Sequence, residues 1–155
     1  GDPDGFFTKE TNDVYGIQAA YNTDSYGVSV SYALTDTGVA AETTYWGLNG
    51  FYAFEGEGLP SISLGYESQD PSAGASAEGY FAGLTWDEVG PGSFSVGLST
   101  TANFTDAQEE LYVYEASYTY PINDGMTITP GVFISESAGA ADDLTGFIVK
   151  TSFSF

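Results

Sequence analysis

Large apolar side chains recur at every second position along almost the whole of this chain, and that alternation restricts its folds more than any other feature. Residues 14–21 set Tyr15, Ile17, Ala19 and Tyr21 against Gly16, Gln18 and Ala20. Residues 26–34 set Tyr26, Val28, Val30, Tyr32 and Leu34 against Gly27, Ser29, Ser31 and Ala33. Trp46, Leu48, Gly50, Tyr52 and Phe54 then oppose Tyr45, Gly47, Asn49 and Phe51, and Pro60, Ile62, Leu64 and Tyr66 oppose Ser61, Ser63, Gly65 and Glu67. The second half continues with Tyr80, Ala82, Leu84 and Trp86 against Phe81, Gly83 and Thr85, and with Phe94, Val96 and Leu98 against Ser95, Gly97 and Ser99. Tyr112, Tyr114, Ala116, Tyr118 and Tyr120 oppose Val113, Glu115, Ser117 and Thr119; Met126, Ile128, Pro130, Val132 and Ile134 oppose Thr127, Thr129, Gly131 and Phe133. The last run sets Phe147, Val149, Thr151, Phe153 and Phe155 against Ile148, Lys150, Ser152 and Ser154. Successive side chains of a strand point to opposite faces, so a period of two predicts about nine strands, each with one greasy and one small, polar face.

The connections predict how these strands pair. Residues 22–25, 55–58, 88–92 and 123–125 are short and rich in Gly, Asn and Asp, and Asn123-Asp124-Gly125 is a tight-turn signal. Residues 35–43, 68–78, 101–110 and 136–143 read as longer connections. All are short enough to make neighbours antiparallel. Short turns at one end and longer loops at the other suit an outer-membrane barrel, with the short side periplasmic.

A water-soluble sandwich also gives each strand one apolar face. The rings favour lipid instead, because they gather at the ends of the greasy faces while Ile17, Val28, Val30, Leu48, Leu64, Leu84 and Val96 hold the middles. Amphipathic rings prefer the headgroup level and aliphatics the hydrocarbon. Tyr21, Tyr26, Trp46, Tyr52, Tyr80, Trp86, Tyr120 and Phe155 are accordingly expected at the two lipid interfaces. The fold class expected is all-β, an antiparallel transmembrane barrel, with residues 1–155 forming one portion of it.

Other classes of protein are excluded by composition. No apolar run approaches the roughly 20 residues of a transmembrane helix. Two Lys, no Arg and no His against 22 acids give a formal charge of −20, so nothing here neutralises nucleic-acid phosphates or docks on an anionic membrane surface. Without His or Cys there is no Ser-His-Asp, Cys-His or zinc site, and no disulfide. No catalytic residue, metal or cofactor is expected. Asp2-Pro3-Asp4-Gly5, Glu109-Glu110 and Asp142-Asp143 read as solvated loop charge rather than as calcium ligands.

The polar face carries the candidates for function. Glu67 and Glu115 lie on it toward the long-loop end, with Gln18, Asn49, Thr85, Thr119 and Lys150 on the same face, and no acid falls mid-strand on the greasy face. Water in a lumen hydrates such charges, and acidic groups there favour cations. The expected function is a passive, cation-preferring channel for inorganic ions and small hydrophilic solutes, with the lipid bilayer as partner. Two other readings fit the alternation: a small closed barrel with a structural or adhesive role, and a soluble β-sandwich binding module. Small inner residues fill a narrow barrel poorly, which favours a wide lumen.

An odd count of strands conflicts with the even number of single-chain bacterial barrels. The expectation is therefore a C-terminal piece of a longer barrel, cut within an extracellular loop and completed by the remainder or by a companion chain. No basic and apolar leader opens the sequence.

Near the C-terminus, Tyr118-Thr119-Tyr120-Pro121-Ile122-Asn123-Asp124-Gly125-Met126-Thr127-Ile128-Thr129-Pro130-Gly131-Val132-Phe133 resembles the penultimate hairpin of cyanobacterial porins of the carbohydrate-selective OprB-like family, often called iron uptake porins. Lys150-Thr151-Ser152-Phe153-Ser154-Phe155 resembles their closing strand, and a terminal Phe after alternating aromatics resembles the signal read by the barrel-assembly machinery. The resemblance implies an outer-membrane channel of about 16 strands, a monomer or homotrimer, passing small solutes and ions. It also implies an N-terminal surface-layer-homology segment that grips the cell wall; these residues contain nothing like it, and no sugar site carries over.

Overall fold

The structure, a computed structural model, describes residues 13–36, 42–101, 104–105, 107–139 and 141–154. They form β1 (Asp13–Asn22), β2 (Tyr26–Asp36), β3 (Thr43–Ala53), β4 (Ser61–Pro71), β5 (Ala77–Val89), β6 (Gly92–Thr100), β7 (Tyr112–Asn123), β8 (Met126–Ser135) and β9 (Leu144–Phe153). Each predicted segment is one strand, and among the described residues there is no helix. The β-branched, aromatic and glycine-rich runs suit a pleated surface and offer no helical stripe.

The strands pair in chain order, all antiparallel, in a single sheet. β1 and β9 do not touch, so the sheet is open, and among the described residues no second sheet packs on it. The expectation of longer connections at one end fails at two hairpins: the β2–β3 connection, 37–42, is one residue shorter than the 54–60 connection at the opposite end. Residues 68–71 continue β4, pairing with Thr43–Trp46 of β3, so the β4–β5 connection is 72–76, shorter than the 54–60 connection at the opposite end. Ser68 to Pro71 lack the signals of a strand, but the β3 backbone is present to pair with them. Thr44 Oγ1 donates to the Asp70 carbonyl at 3.1 Å, and Ser76 Oγ to Asp70 Oδ1 at 2.5 Å, which closes the loop.

The predicted turn at Asp124-Gly125 forms, with Asn123 Oδ1 accepting the Gly125 N–H at 3.0 Å. Neither residue has positive φ, so it is not the mirror-image turn the dipeptide favours. A register shift between Pro121 and Asn123 takes up the twist instead, and a second lies between Trp86 and Val89. Gly90 closes that β5–β6 hairpin with φ 63°, a conformation that suits glycine.

Register merges the nine greasy faces into one. Ile17, Tyr32 and Trp46 are cross-strand neighbours, as are Tyr52, Ile62, Leu84, Val96, Ala116, Val132 and Phe147 in turn. Nothing covers them: Ile17 is 71% exposed, Leu48 51% and Val132 53%. Among the described residues no hydrophobic side chain is buried; only Gly27, Gly65, Gly79 and Gly131 are. Burying one such side chain gains about 1.5–3 kcal/mol, so the sheet alone leaves its main source of stability unused.

The register also leans in one direction. A single row of pairings runs from Asn22, the last residue of β1, through Gly27, Phe51, Ser63, Gly83, Gly97, Glu115 and Phe133 to Gly146, the third residue of β9. Gly146 stands seven residues above Phe153, the end of β9. The stagger is close to one residue per strand, ~3.3 Å along for ~4.8 Å across, which inclines the strands by roughly 35° from the normal to the row of strand ends.

Candidate functional site

The polar face is built mostly from side chains too small to fill the space above it. Gly47, Gly65, Gly79, Gly83, Gly97 and Gly131 share it with Ser29, Ser31, Ser63, Ser95 and Ser117. Among the larger side chains on it are three phenylalanines, each of which lies down on the glycine beside it. A Cβ added to Gly27 would overlap the ring of Phe51, one on Gly65 the ring of Phe81, and one on Gly146 the ring of Phe133. Each pair is a cross-strand neighbour. The rings shield bare backbone and keep the face shallow.

Glu67 and Glu115 both stand on this face toward the longer loops. Glu67 lies four residues below Pro71 at the end of β4, and Glu115 three residues below Tyr112 at the start of β7. Glu67 is flanked by Gly47 and Gly79, Glu115 by Gly97 and Phe133. Both are exposed, and neither makes a hydrogen bond or ion pair with any described residue. The same holds for the side chains of Gln18, Asn49 and Lys150. Thr85 and Thr119, by contrast, share hydroxyl hydrogen bonds with Ser95 at 3.0 Å and Thr129 at 3.1 Å. Gln18 belongs to the Glu67 row through Ser31 and Gly47, while Asn49 pairs with Gly65 beside the Phe81 ring. Lys150 lies apart, three residues above the end of β9 and opposite Thr129. The face therefore presents two unpaired carboxylates at similar height and one ammonium near the opposite end.

The greasy face carries its rings near both ends. Tyr21, Tyr26, Tyr52, Trp86 and Tyr120 cluster toward the short turns with Phe94 and Tyr118, and Trp46 and Tyr80 stand toward the long loops. Tyr21 and Tyr26 approach at 6.1 Å between ring centroids, Tyr32 and Trp46 at 4.7 Å, Trp86 and Phe94 at 6.0 Å. Phe155 lies outside the described residues, as do Asp2, Asp4 and Gly5.

One arrangement has no signature in the sequence. At the long-loop end the tyrosines are tied to carboxylates above them. Tyr66 Oη donates to Glu78 Oε2 at 2.7 Å, Tyr114 Oη to Glu136 Oε1 at 3.1 Å and Tyr15 Oη to Asp13 Oδ2 at 3.3 Å. Tyr80 and Tyr112 both bond Glu110, their hydroxyls 2.6 Å apart. Tyr66–Glu78, Tyr114–Glu136 and Tyr80–Glu110 join residues 12 to 30 apart in the chain, so spacing could not have paired them. Glu109 Oε2 accepts the Gly139 N–H at 3.1 Å and Asp143 Oδ1 the Ser137 N–H at 3.1 Å, so these loop acids hold backbone. Among the described residues no three acids gather as a metal site would require.

Comparison with known proteins adds one relative. An uncharacterized protein of Nostoc sp. (strain PCC 7120), alr4550, is 28% identical over 140 residues, which cover 88% of this chain and 22% of that protein. The chain thus spans about a fifth of the length of the curated relative it matches. No described protein family and no solved structure matches it.

Proposed function

We propose that the chain is part of an outer-membrane porin, a transmembrane β-barrel whose greasy face meets lipid and whose polar face lines a water-filled channel. The carrying observation is the pairing register, which joins apolar side chains from all nine strands into one surface while no hydrophobic side chain among the described residues is buried. A sheet of this kind in water would leave its largest favourable term unrealised; hydrocarbon on one side realises it. Strands of 9 to 13 residues match the 9–11 or so needed to cross a bilayer at a tilt. The one-directional stagger is what a sheet needs to close.

Backbone groups on the outer edges of β1 and β9 have no partner in this sheet, and lipid does not tolerate them. Further strands complete the barrel, from the same protein or a companion chain. The resemblance to the OprB-like porins and the match to a much longer cyanobacterial protein both favour the same protein. Transport is passive diffusion of ions and small hydrophilic solutes, with cations favoured by Glu67, Glu115 and the overall charge. Reconstitution of the intact protein in planar bilayers tests this. Stepwise conductance with a cation-selective reversal potential is expected; a protein that stays soluble and monomeric without detergent and carries no current overturns it.

A further inference from the structure

We infer that Glu67, Phe81 and Asn49 form a binding subsite for small organic monocations of the alkylammonium type on the polar face. The inference rests on the proposed water-filled character of that face. Gly47, Gly65 and Gly79 leave a depression of about 310 Å³ across β3, β4 and β5, rimmed by Ser31 and Ser99. Its floor is the Phe81 ring, flattened on Gly65 next to the Asn49 amide. Glu67 stands two residues beyond Gly65 on the same face, about 7 Å along the strand. Its carboxylate has bare glycine on both sides and no hydrogen-bond or ion-pair partner among the described residues.

A carboxylate and an open aromatic face converging on one hollow select a particular chemistry. A strongly hydrated sodium ion gains little from a ring. An alkylammonium gains from both, because its methyl groups shed water against the π face while its charge stays near the carboxylate. A neutral sugar can use the ring and the amide but not the charge. The hollow lies in the middle of the sheet, between strands paired on both sides, so its walls do not depend on what completes the barrel. The Glu115–Phe133–Gly146 group repeats the elements but borders the edge strand β9, where one wall is missing.

Tetramethylammonium is the probe. Saturation-transfer NMR on the intact protein in octyl-polyoxyethylene micelles reads binding without requiring current. A saturable signal is expected, weakened about fivefold by Glu67→Gln and about two- to fivefold by Phe81→Leu, and unchanged by Glu57→Gln in a turn. Glucose and tert-butanol should give no comparable saturation. A signal indifferent to Glu67→Gln, or matched by either neutral probe, overturns the subsite. Cation-selective current without an E67Q-sensitive signal overturns the subsite and leaves the channel standing. An E67Q-sensitive signal in a protein that carries no current supports the subsite and removes the channel.

Discussion

The ring of Phe81 fills the space that a Cβ on Gly65 would need, the two residues facing each other across the β4–β5 pairing. The obstacle is a side chain that can rotate. At Gly92 the obstacle is the Thr119 carbonyl oxygen, fixed in the β6–β7 pairing. Gly65→Ala should therefore change stability by less than about 1 kcal/mol, since alanine's smaller entropy loss offsets the displaced ring. Gly92→Ala should cost about 1–3 kcal/mol. Urea unfolding in micelles, followed by tryptophan fluorescence, separates the two; equal costs would contradict the placement of these glycines.

Leu48 and Asn49 are adjacent at the middle of β3 and point to opposite faces. With lipid on one side and water on the other, Leu48→Arg should lose about 2–4 kcal/mol and Asn49→Arg much less. A reversed order in the same unfolding measurement would place the hydrocarbon on the wrong face.

Glu67 and Glu115 are the acids on the polar face toward the long-loop end of the described strands. Neutralising both, as Glu67→Gln with Glu115→Gln, should lower the cation preference read from reversal potentials in a tenfold salt gradient. Both groups are exposed, so the effect should shrink toward 1 M salt, where screening acts within about 3 Å. An unchanged potential at low salt would remove these two residues from the permeation path.

The two tryptophans lie near opposite ends of the greasy face. Trp46 is three residues below the start of β3, and Trp86 three above the end of β5. In single-tryptophan variants made with Trp86→Phe or Trp46→Phe, lipids brominated near the headgroup should quench each ring more than lipids brominated deep in the chain. Stronger deep quenching, or none, would contradict the interfacial placement.

Hydrogen exchange reports on the edges. In the intact protein, amides of β1 and β9 should be as protected as those of β4 and β5, because closing strands supply the missing partners. Fast exchange confined to β1 and β9 would show that the sheet stays open.

Much of this fold is legible because the side-chain period of a strand is exactly two residues: once Tyr15, Ile17 and Tyr21 are assigned to one face, Gln18 has no choice of side. The pairing then follows from short connections. Features that depend on which backbone lies alongside were not legible. Asp70 and Pro71 look like a loop, yet they pair because Thr43 and Thr44 are there to meet them. Phe51, Phe81 and Phe133 could be placed on the polar face, but their collapse onto glycines needs the register. A large ring on a face of small residues is the signal that would have prompted the search. Glu67 and Glu115 were visible as charges on a small-residue face; that they lack hydrogen-bonding partners among the described residues was not. The Tyr80–Glu110 tie escaped because the two residues are 30 apart in the chain.

Each strand touches only the strands before and after it in the chain. A hairpin is therefore a module that can be duplicated or deleted without turning any other residue inside out. In the proposed barrel each such event would alter the circumference by about 10 Å, two strand widths. Proteins of this build can thus change bore over evolutionary time in even steps while every surviving wall segment keeps its orientation. Mutational damage in one hairpin should likewise reach its neighbours and fade beyond them.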